Sequence, residues 1–153
     1  MNKRKRFILI VLCFIIYIFG SMVYHNVFKQ LVDSQTLALL QRKIDTTPNF
    51  VNVLTADGYA QLSDGTYHKG FLYEENSSAT HMITILVEAD CEFSSILQYR
   101  QKRKPFNSNR SLYYFNTVII EYQQFRITIT ETTTNRNTEN IARELQNMIS
   151  SDY

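Results

Sequence analysis

The segment LYYFNTVIIEYQQFRITITETT, residues 112–133, carries two alternating apolar patterns that meet at Gln123 and Gln124. A two-residue loop at this point places six apolar side chains opposite one another on one face of a strand pair. The predicted pairs are Tyr122 with Phe125, Ile120 with Ile127, and Val118 with Ile129. On the other face Glu121 meets Arg126, and opposite charges suit a cross-strand pair. The segment therefore predicts an antiparallel hairpin with one buried face, in which a four-residue loop is the alternative because Gln-Gln is not a favoured tight turn.

Shorter patterns upstream of this hairpin predict further strands. Residues 81–88 are rich in β-branched side chains and have the length of a central strand. Asp-Gly at residues 64–65 suits a two-residue hairpin turn, which places Leu62 opposite Tyr67. Residues 50–54 predict a short first strand.

Two helices are predicted on either side of the hairpin. The first has Asp90 as its N-cap and ends before Pro105, because proline cannot continue a helix. The second is capped by Asn137 or Thr138. Its apolar residues at helical spacing are Ile141, Leu145, Met148 and Ile149. Together these patterns predict an α+β domain with a small, mainly antiparallel sheet and helices packed on one face.

The N-terminal part of the chain predicts a membrane span. Residues 7–24 form a run of eighteen residues without charge, directly after the four basic residues 3–6. As a helix this run is roughly 27 Å long, close to the hydrocarbon thickness of a bilayer. A cleaved signal peptide has a shorter apolar stretch and small residues before its cleavage site, whereas this run ends in Gly20-Ser21-Met22. An uncleaved anchor is therefore favoured over a signal peptide.

The span is expected to continue into an amphipathic stalk helix. Leu37, Leu40 and Ile44 lie at helical spacing, and Pro48 limits the helix on its C-terminal side. The apolar stripe can pack on its own domain or pair with another membrane protein. The predicted divisions are a basic tail at 1–6, a transmembrane helix at 7–28, a stalk at 29–46 and an extracytoplasmic α+β domain at 47–153.

Charge predicts the orientation of the chain and excludes one class of partner. Four basic residues precede the span, so the positive-inside rule places the N-terminus in the cytoplasm and the C-terminal domain outside. The whole chain carries a net charge of +2, but residues 29–153 hold 12 basic and 14 acidic residues. A nucleic-acid-binding domain is therefore not indicated.

Few residues in the sequence are candidates for catalysis or metal binding. Cys91 lies at the start of a predicted helix, which lowers a thiol pKa, but Asp90 and Glu92 beside it oppose the thiolate. His68 and His81 lack the spacing of a zinc site. A structural thiol is the leading interpretation of Cys91, with a nucleophile and an intermolecular disulfide as alternatives. We expect no catalytic residues, no metal and no cofactor.

The basic stretch RQKRKPFNSNR, residues 100–110, is the best candidate for a binding surface. It contains five positive side chains, no acidic one and a phenylalanine. Such a stretch can bind anionic lipid headgroups, an acidic polymer or an acidic protein surface, or it can be a solvated helix end. The candidate binding residues are Arg100, Lys102, Arg103, Lys104, Phe106 and Arg110. Asn76 and Asn109 begin glycosylation sequons that matter only in a eukaryotic or viral setting.

The leading functional hypothesis is a single-pass, membrane-anchored and non-enzymatic accessory domain. It would act outside the membrane as a component of a larger envelope assembly for secretion, adhesion or entry. The expected partners are the membrane and other membrane or envelope proteins, and not nucleic acid. A membrane-tethered inhibitor or immunity protein against an extracytoplasmic toxin is the main alternative. An enzyme that uses Cys91 with a histidine, and a sensor or lipid-binding domain, are weaker alternatives.

Overall fold

The computed structural model describes residues 3–27, 30–75, 79–108, 111–134 and 140–151. Within them the chain forms four helices and six strands. The helices are α1 (Lys3–Val27), α2 (Ser34–Thr46), α3 (Phe50–Ala56) and α4 (Asn140–Ser150). The strands are β1 (Ala60–Gln61), β2 (Tyr67–Glu75), β3 (Ala79–Glu88), β4 (Gln98–Ser108), β5 (Ser111–Tyr122) and β6 (Phe125–Thr133). The chain divides into two compact units, Met1–Gln30 and Leu31–Tyr153.

The N-terminal unit consists of helix α1. The segment Arg4–Met22, 19 residues long, is apolar enough to cross a membrane, and none of it is buried. An exposed apolar helix of this length fits an anchor or a signal sequence, whereas the core helix of a soluble domain is mostly buried. The prediction of an N-terminal apolar helix long enough for a span is confirmed.

The second unit is built on one six-stranded sheet with the order β1-β2-β3-β6-β5-β4. All five strand pairs are antiparallel, so the α+β class and the antiparallel sheet are confirmed. The predicted hairpin of β5 and β6 is also confirmed, because Tyr122 lies opposite Phe125 and Glu121 opposite Arg126. Burial alternates along the whole of β6, as expected for a strand with one buried face.

The turn of this hairpin owes its geometry to contacts from elsewhere in the domain. Gln123 has a φ of 51°, in the left-handed region that glycine and asparagine prefer. Three backbone hydrogen bonds connect Gln123 and Gln124 to the segment between β3 and β4. The amides of Cys91 and Phe93 donate to the two glutamine carbonyl oxygens, and the amide of Gln123 donates to Ser94 at 3.1 Å. The tertiary bonds hold a turn that local sequence does not favour.

One hydrophobic core joins the helices and strands of the second unit. Its fully buried members include Leu40, Leu54, Ile83, Ile85, Ile120, Ile127, Ile129, Ile141, Leu145 and Met148. The predicted apolar stripe of α4 is therefore confirmed, while its N-cap candidates Asn137 and Thr138 lie outside the described residues. That the helices pack on one face of the sheet stays a prediction.

The predicted continuous stalk is wrong, because α1 ends at Val27 and α2 begins separately at Ser34. Asp33 is the N-cap of α2, and its side chain accepts a hydrogen bond of 2.6 Å from the amide of Thr36. This bond satisfies an N-terminal amide that a continuous helix would bond internally. The side chains of Leu37, Leu40 and Ile44 are buried in the core of the domain, so the stripe packs on its own domain.

The predicted strand at residues 50–54 is wrong, because these residues form helix α3. The ring of Phe50 packs edge-on against Phe125, with 5.2 Å between the ring centroids. Short apolar runs do not distinguish a strand from a buried helix, and this tertiary contact decides the outcome.

The predicted helix between Asp90 and Pro105 is also wrong. Residues 89–97 form an irregular segment, and the residues that follow form strand β4, paired with β5 along its whole length. Backbone hydrogen bonds connect this segment to the Gln123-Gln124 turn. The backbone of β4 pairs instead with β5. Pro105 is compatible with β4 because β4 is an edge strand.

The turn between β1 and β2 has one residue more than predicted. Gln61 lies opposite Tyr67, so the predicted pair of Leu62 with Tyr67 is wrong by one position. The loop is closed by the amide of Leu62, which donates to the Thr66 carbonyl oxygen at 2.8 Å. Gly65 has a φ of 86°, which is the left-handed residue expected in a three-residue loop.

Candidate binding surface

One face of the sheet, here called the open face, carries half-exposed side chains across its centre. Its threonines are Thr84, Thr117, Thr128, Thr130 and Thr132, none of which is buried. Thr130 of β6 lies between Thr84 of β3 and Thr117 of β5, so these threonines form one continuous strip. The opposite face carries the buried isoleucines and valines of the core. The open face is therefore the side of the sheet that is available for contact.

The basic strand β4 forms one margin of this open face. Lys102 lies beside Thr117, and Lys104 lies beside Phe115. Both lysines are exposed, and neither forms an ion pair with any residue that the structure describes. The margin therefore presents two uncompensated positive charges two residues apart on the same face.

Aromatic rings continue this margin beyond the lysines. Phe106 is half-buried and stacks on Phe115 and Tyr113, with ring centroids 4.4 Å and 5.2 Å apart. Phe115 itself is 37% exposed. Lys102, Lys104 and Phe106 therefore lie in a row on the open face, and we call these three residues the β4 row.

Arg100 faces the same side but is engaged in an ion-pair network. Its guanidinium donates to Glu121 Oε1 at 2.7 Å, and Arg126 donates to the same oxygen at 3.0 Å. Arg126 also donates to Glu88 at 3.2 Å, and its guanidinium lies 4.9 Å from the ring centroid of Phe93. Hydrogen bonding to Glu121 raises the pKa of Arg126. Arg100 therefore stabilises the end of the sheet in addition to any binding role.

The side chain of Arg103 lies on the face opposite the open face, where it belongs to a polar network with buried members. Its Nε donates to Asn116 Oδ1 at 3.0 Å, and Asn116 Nδ2 donates to Glu131 Oε2 at 2.9 Å. The side-chain Nδ2 of Asn140 donates to the other carboxylate oxygen, Glu131 Oε1, at 3.2 Å. Asn116 and Glu131 have no exposed surface. Glu131 occupies one of the alternate, inward-facing positions of β6, but the sequence analysis did not single it out, and nothing in the sequence indicated its partners.

The remaining sequence candidates give no further support to the surface. Arg110, Asn76 and Asn109 lie outside the described residues. Of the six candidate binding residues, the structure thus brings three together in the β4 row and assigns Arg100 and Arg103 to other contacts.

The strand β4 is also attached to the chain that enters the domain. The amide of Leu31 donates to Gln101 Oε1 at 2.8 Å, and the amide of Val32 donates to the Tyr99 hydroxyl oxygen at 3.2 Å. The Tyr99 hydroxyl in turn donates to Gln101 Oε1 at 2.9 Å. Two side chains of β4 therefore hold the backbone that leads from the N-terminal unit into α2.

A separate small cavity of about 80 Å³ lies between α4 and the β1 to β2 region. Tyr59, Lys69 and Glu144 are among its lining residues. Burial raises the pKa of Tyr59, and the carboxylates of Asp57 and Glu144 raise it further. Lys69 donates to the Asp57 carbonyl oxygen at 2.6 Å and lies 5.2 Å from the ring centroid of Tyr59. The cavity has room for only a few water molecules.

The environment of Cys91 disfavours its thiolate form on balance. Cys91 lies in the irregular segment after β3, so no helix dipole acts on its thiol. Burial raises the pKa of this thiol, and the charge of Glu88 raises it further. Among the described residues no group of three His, Cys, Asp or Glu side chains is placed to hold a metal ion.

Comparison of the chain with protein-family models, curated proteins and solved structures gave no significant match.

Proposed function

We propose that this protein is a membrane-anchored, non-enzymatic accessory domain that binds an acidic partner through the β4 row. In this proposal α1 remains in the membrane, the N-terminus is cytoplasmic and the second unit lies outside. The protein then serves as one component of a larger envelope assembly. The basic residues 3–6 ahead of the apolar helix support this orientation.

The observation that carries the proposal is the position of Lys102 and Lys104. Both are exposed on an edge strand, beside a half-exposed sheet face, without an ionic partner among the described residues. Charged side chains on an edge strand also keep it from pairing with other sheets. The two roles are compatible, because the same charges that exclude neutral or basic partners admit an acidic one.

A photo-crosslinking experiment in intact cells tests the proposal. A photoreactive amino acid is placed at Lys102 or at Lys104 in the full-length chain, and at Arg42 in a matched control. Arg42 is an exposed basic residue on helix α2 and not on the sheet. We expect a discrete crosslinked partner from the two β4 positions and not from position 42.

Neutralisation of the same charges gives an independent readout. Lys102→Gln and Lys104→Gln together should abolish co-purification of the crosslinked partner, because the surface then loses both uncompensated charges. Arg42→Gln should leave the partner bound. Monomer alone at all three crosslinking positions contradicts the proposal.

A further inference from the structure

We propose that the acidic partner binds by adding one extended strand to the free edge of β4. This inference rests on the proposed function and specifies how the same surface is used. Among the strands that the structure describes, β4 pairs with β5 alone, so its other edge is the end of the sheet. The exposed edge of a sheet can accept an extended peptide through main-chain hydrogen bonds.

The regularity of β4 supports a long continuous contact. Its register against β5 runs without interruption from Gln98, opposite Glu121, to Ser108, opposite Ser111. A bulge would break the ladder and twist the edge away, but no shift in register occurs along these 11 residues. The edge is therefore straight enough to pair with a second strand over several residues.

Pro105 reveals which backbone groups of β4 point outward. Proline has no N–H, so its place opposite Tyr114 in an unbroken ladder is a position that makes no hydrogen bond to β5. Backbone groups at such positions point away from the neighbouring strand, and they recur at every second residue. Tyr99 shares this alternation with Pro105, so alternate residues of β4 point their main-chain groups outward, and at Pro105 only the carbonyl oxygen is available to a further strand.

The two lysines and the phenylalanine of the β4 row indicate which side chains the partner's added strand should carry. Residues directly opposite each other on neighbouring strands have Cβ atoms about 5 Å apart, and opposite charges there are favourable. Acidic residues two positions apart would face Lys102 and Lys104, and an apolar or aromatic residue two positions further would face Phe106. The partner is thus an extended segment with the pattern acid, any residue, acid, any residue, apolar, in either chain direction.

A seven-residue peptide, Phe-Thr-Glu-Thr-Glu-Thr-Phe with blocked ends, serves as the probe because its pattern is the same in both directions. Binding is measured by fluorescence anisotropy with the full-length protein in lipid nanodiscs. Two further peptides carry N-methyl groups either on all threonines or on both glutamates. In an antiparallel addition the threonine amides face β4, and in a parallel addition the glutamate amides do.

We expect the unmethylated peptide to bind and one of the two methylated peptides to bind at least about tenfold more weakly, because it loses main-chain hydrogen bonds. The other methylated peptide should bind like the parent. Lys102→Gln should weaken binding of the parent peptide, and the control Arg42→Gln should not.

Two outcomes overturn the inference. Equal binding by both methylated peptides means a charge contact without strand addition, of the kind that anionic lipid headgroups also make. No binding of the parent peptide at about 1 mM, a concentration that detects even weak complexes, excludes strand addition. If either result is obtained while a partner still crosslinks at position 102, the proposed function stands and only strand addition is excluded. If no partner crosslinks there, both the proposed function and strand addition are excluded.

Discussion

The Glu131 side chain is a carboxylate without exposed surface whose oxygens accept hydrogen bonds from Asn116 and Asn140. A buried charge is costly unless hydrogen bonds compensate it. Through Asn116 the carboxylate is also connected to Arg103 on the edge strand. This network therefore connects β4, β5, β6 and α4 through polar contacts.

Replacing Glu131 should destabilise the domain more than a neighbouring substitution on the open face. We expect Glu131→Ala to lower the free energy of unfolding by about 2 kcal/mol, because the buried side-chain amide of Asn116 and the half-buried one of Asn140 each lose an acceptor. Thr130→Ala, on the half-exposed side of the same strand, should cost less than about 0.5 kcal/mol. Urea unfolding of the full-length protein in detergent, followed by circular dichroism, measures both. Similar losses for the two variants would contradict a stabilising role of the network.

Tyr59 should make the stability of the domain fall at high pH. Burial raises its pKa in the folded state, so above about pH 10 the unfolded chain releases a proton that the folded chain retains. The free energy of unfolding then decreases as the pH rises through this range. Tyr59→Phe cannot release that proton, and its Tm should fall less steeply between pH 9 and 11. Thermal unfolding of both proteins across this range tests the expectation, and parallel curves would refute it.

At the scale of elements, sequence predicted those parts whose pattern is long and whose partner is adjacent in the chain. The hairpin of β5 and β6 was predictable because two alternating runs fix each other's register at Gln123 and Gln124. The helix α4 was predictable because its apolar positions follow a single helical period.

The errors concern elements whose conformation depends on distant partners. Residues 90–104 contain a good N-cap and a basic end, but β5 and the Gln123-Gln124 turn take up their backbone hydrogen bonds. The β4 row could be recognised only after these residues were found in a strand, because Lys102, Lys104 and Phe106 share a face in a strand and not in a helix. Sequence proposed a binding role for these three residues, which stays a prediction, but it assigned them to a helix and not to the strand that presents them.

The loop between β1 and β2 offers a direct test of backbone conformation. Gly65 has a φ of 86°, so Gly65→Ala should lower the free energy of unfolding by about 1 to 2 kcal/mol. Gly70 is the matched control, because it lies in β2 without positive φ and an added Cβ meets its nearest neighbour, His68, at an ordinary 3.5 Å. Gly70→Ala should leave stability unchanged or raise it by up to about 1 kcal/mol. Chemical denaturation of the two variants compares them, and an equal loss at both positions would disprove the assignment.

At the scale of the whole molecule, the proposed topology depends on the basic residues 3–6. Replacing all four with glutamine should yield a mixture of orientations, since the positive-inside rule then has nothing to act on before the span. Accessibility of the C-terminal domain to protease in intact cells measures the fraction outside. A fully external domain in this variant would show that other features determine the orientation.

The apolar helix should also remain part of the mature protein. We expect the membrane fraction to contain the complete 18.0 kDa chain, because residues 20–22 do not form a good cleavage site. Intact-mass spectrometry of the purified protein measures this directly. A chain that begins near residue 23 would identify the helix as a signal sequence and would remove the anchor from the proposed function.

The hydrogen bonds that Leu31 and Val32 make to Gln101 and Tyr99 have a mechanical consequence. A tensile load transmitted along the chain from the N-terminal helix would reach these two bonds and the buried Val32 side chain before it reaches α2. They anchor the load on β4, the same strand that would hold the partner at its outer edge. In the proposed function, tension between the membrane and the partner would then pass from residues 31 and 32 to β4 before it reached α2.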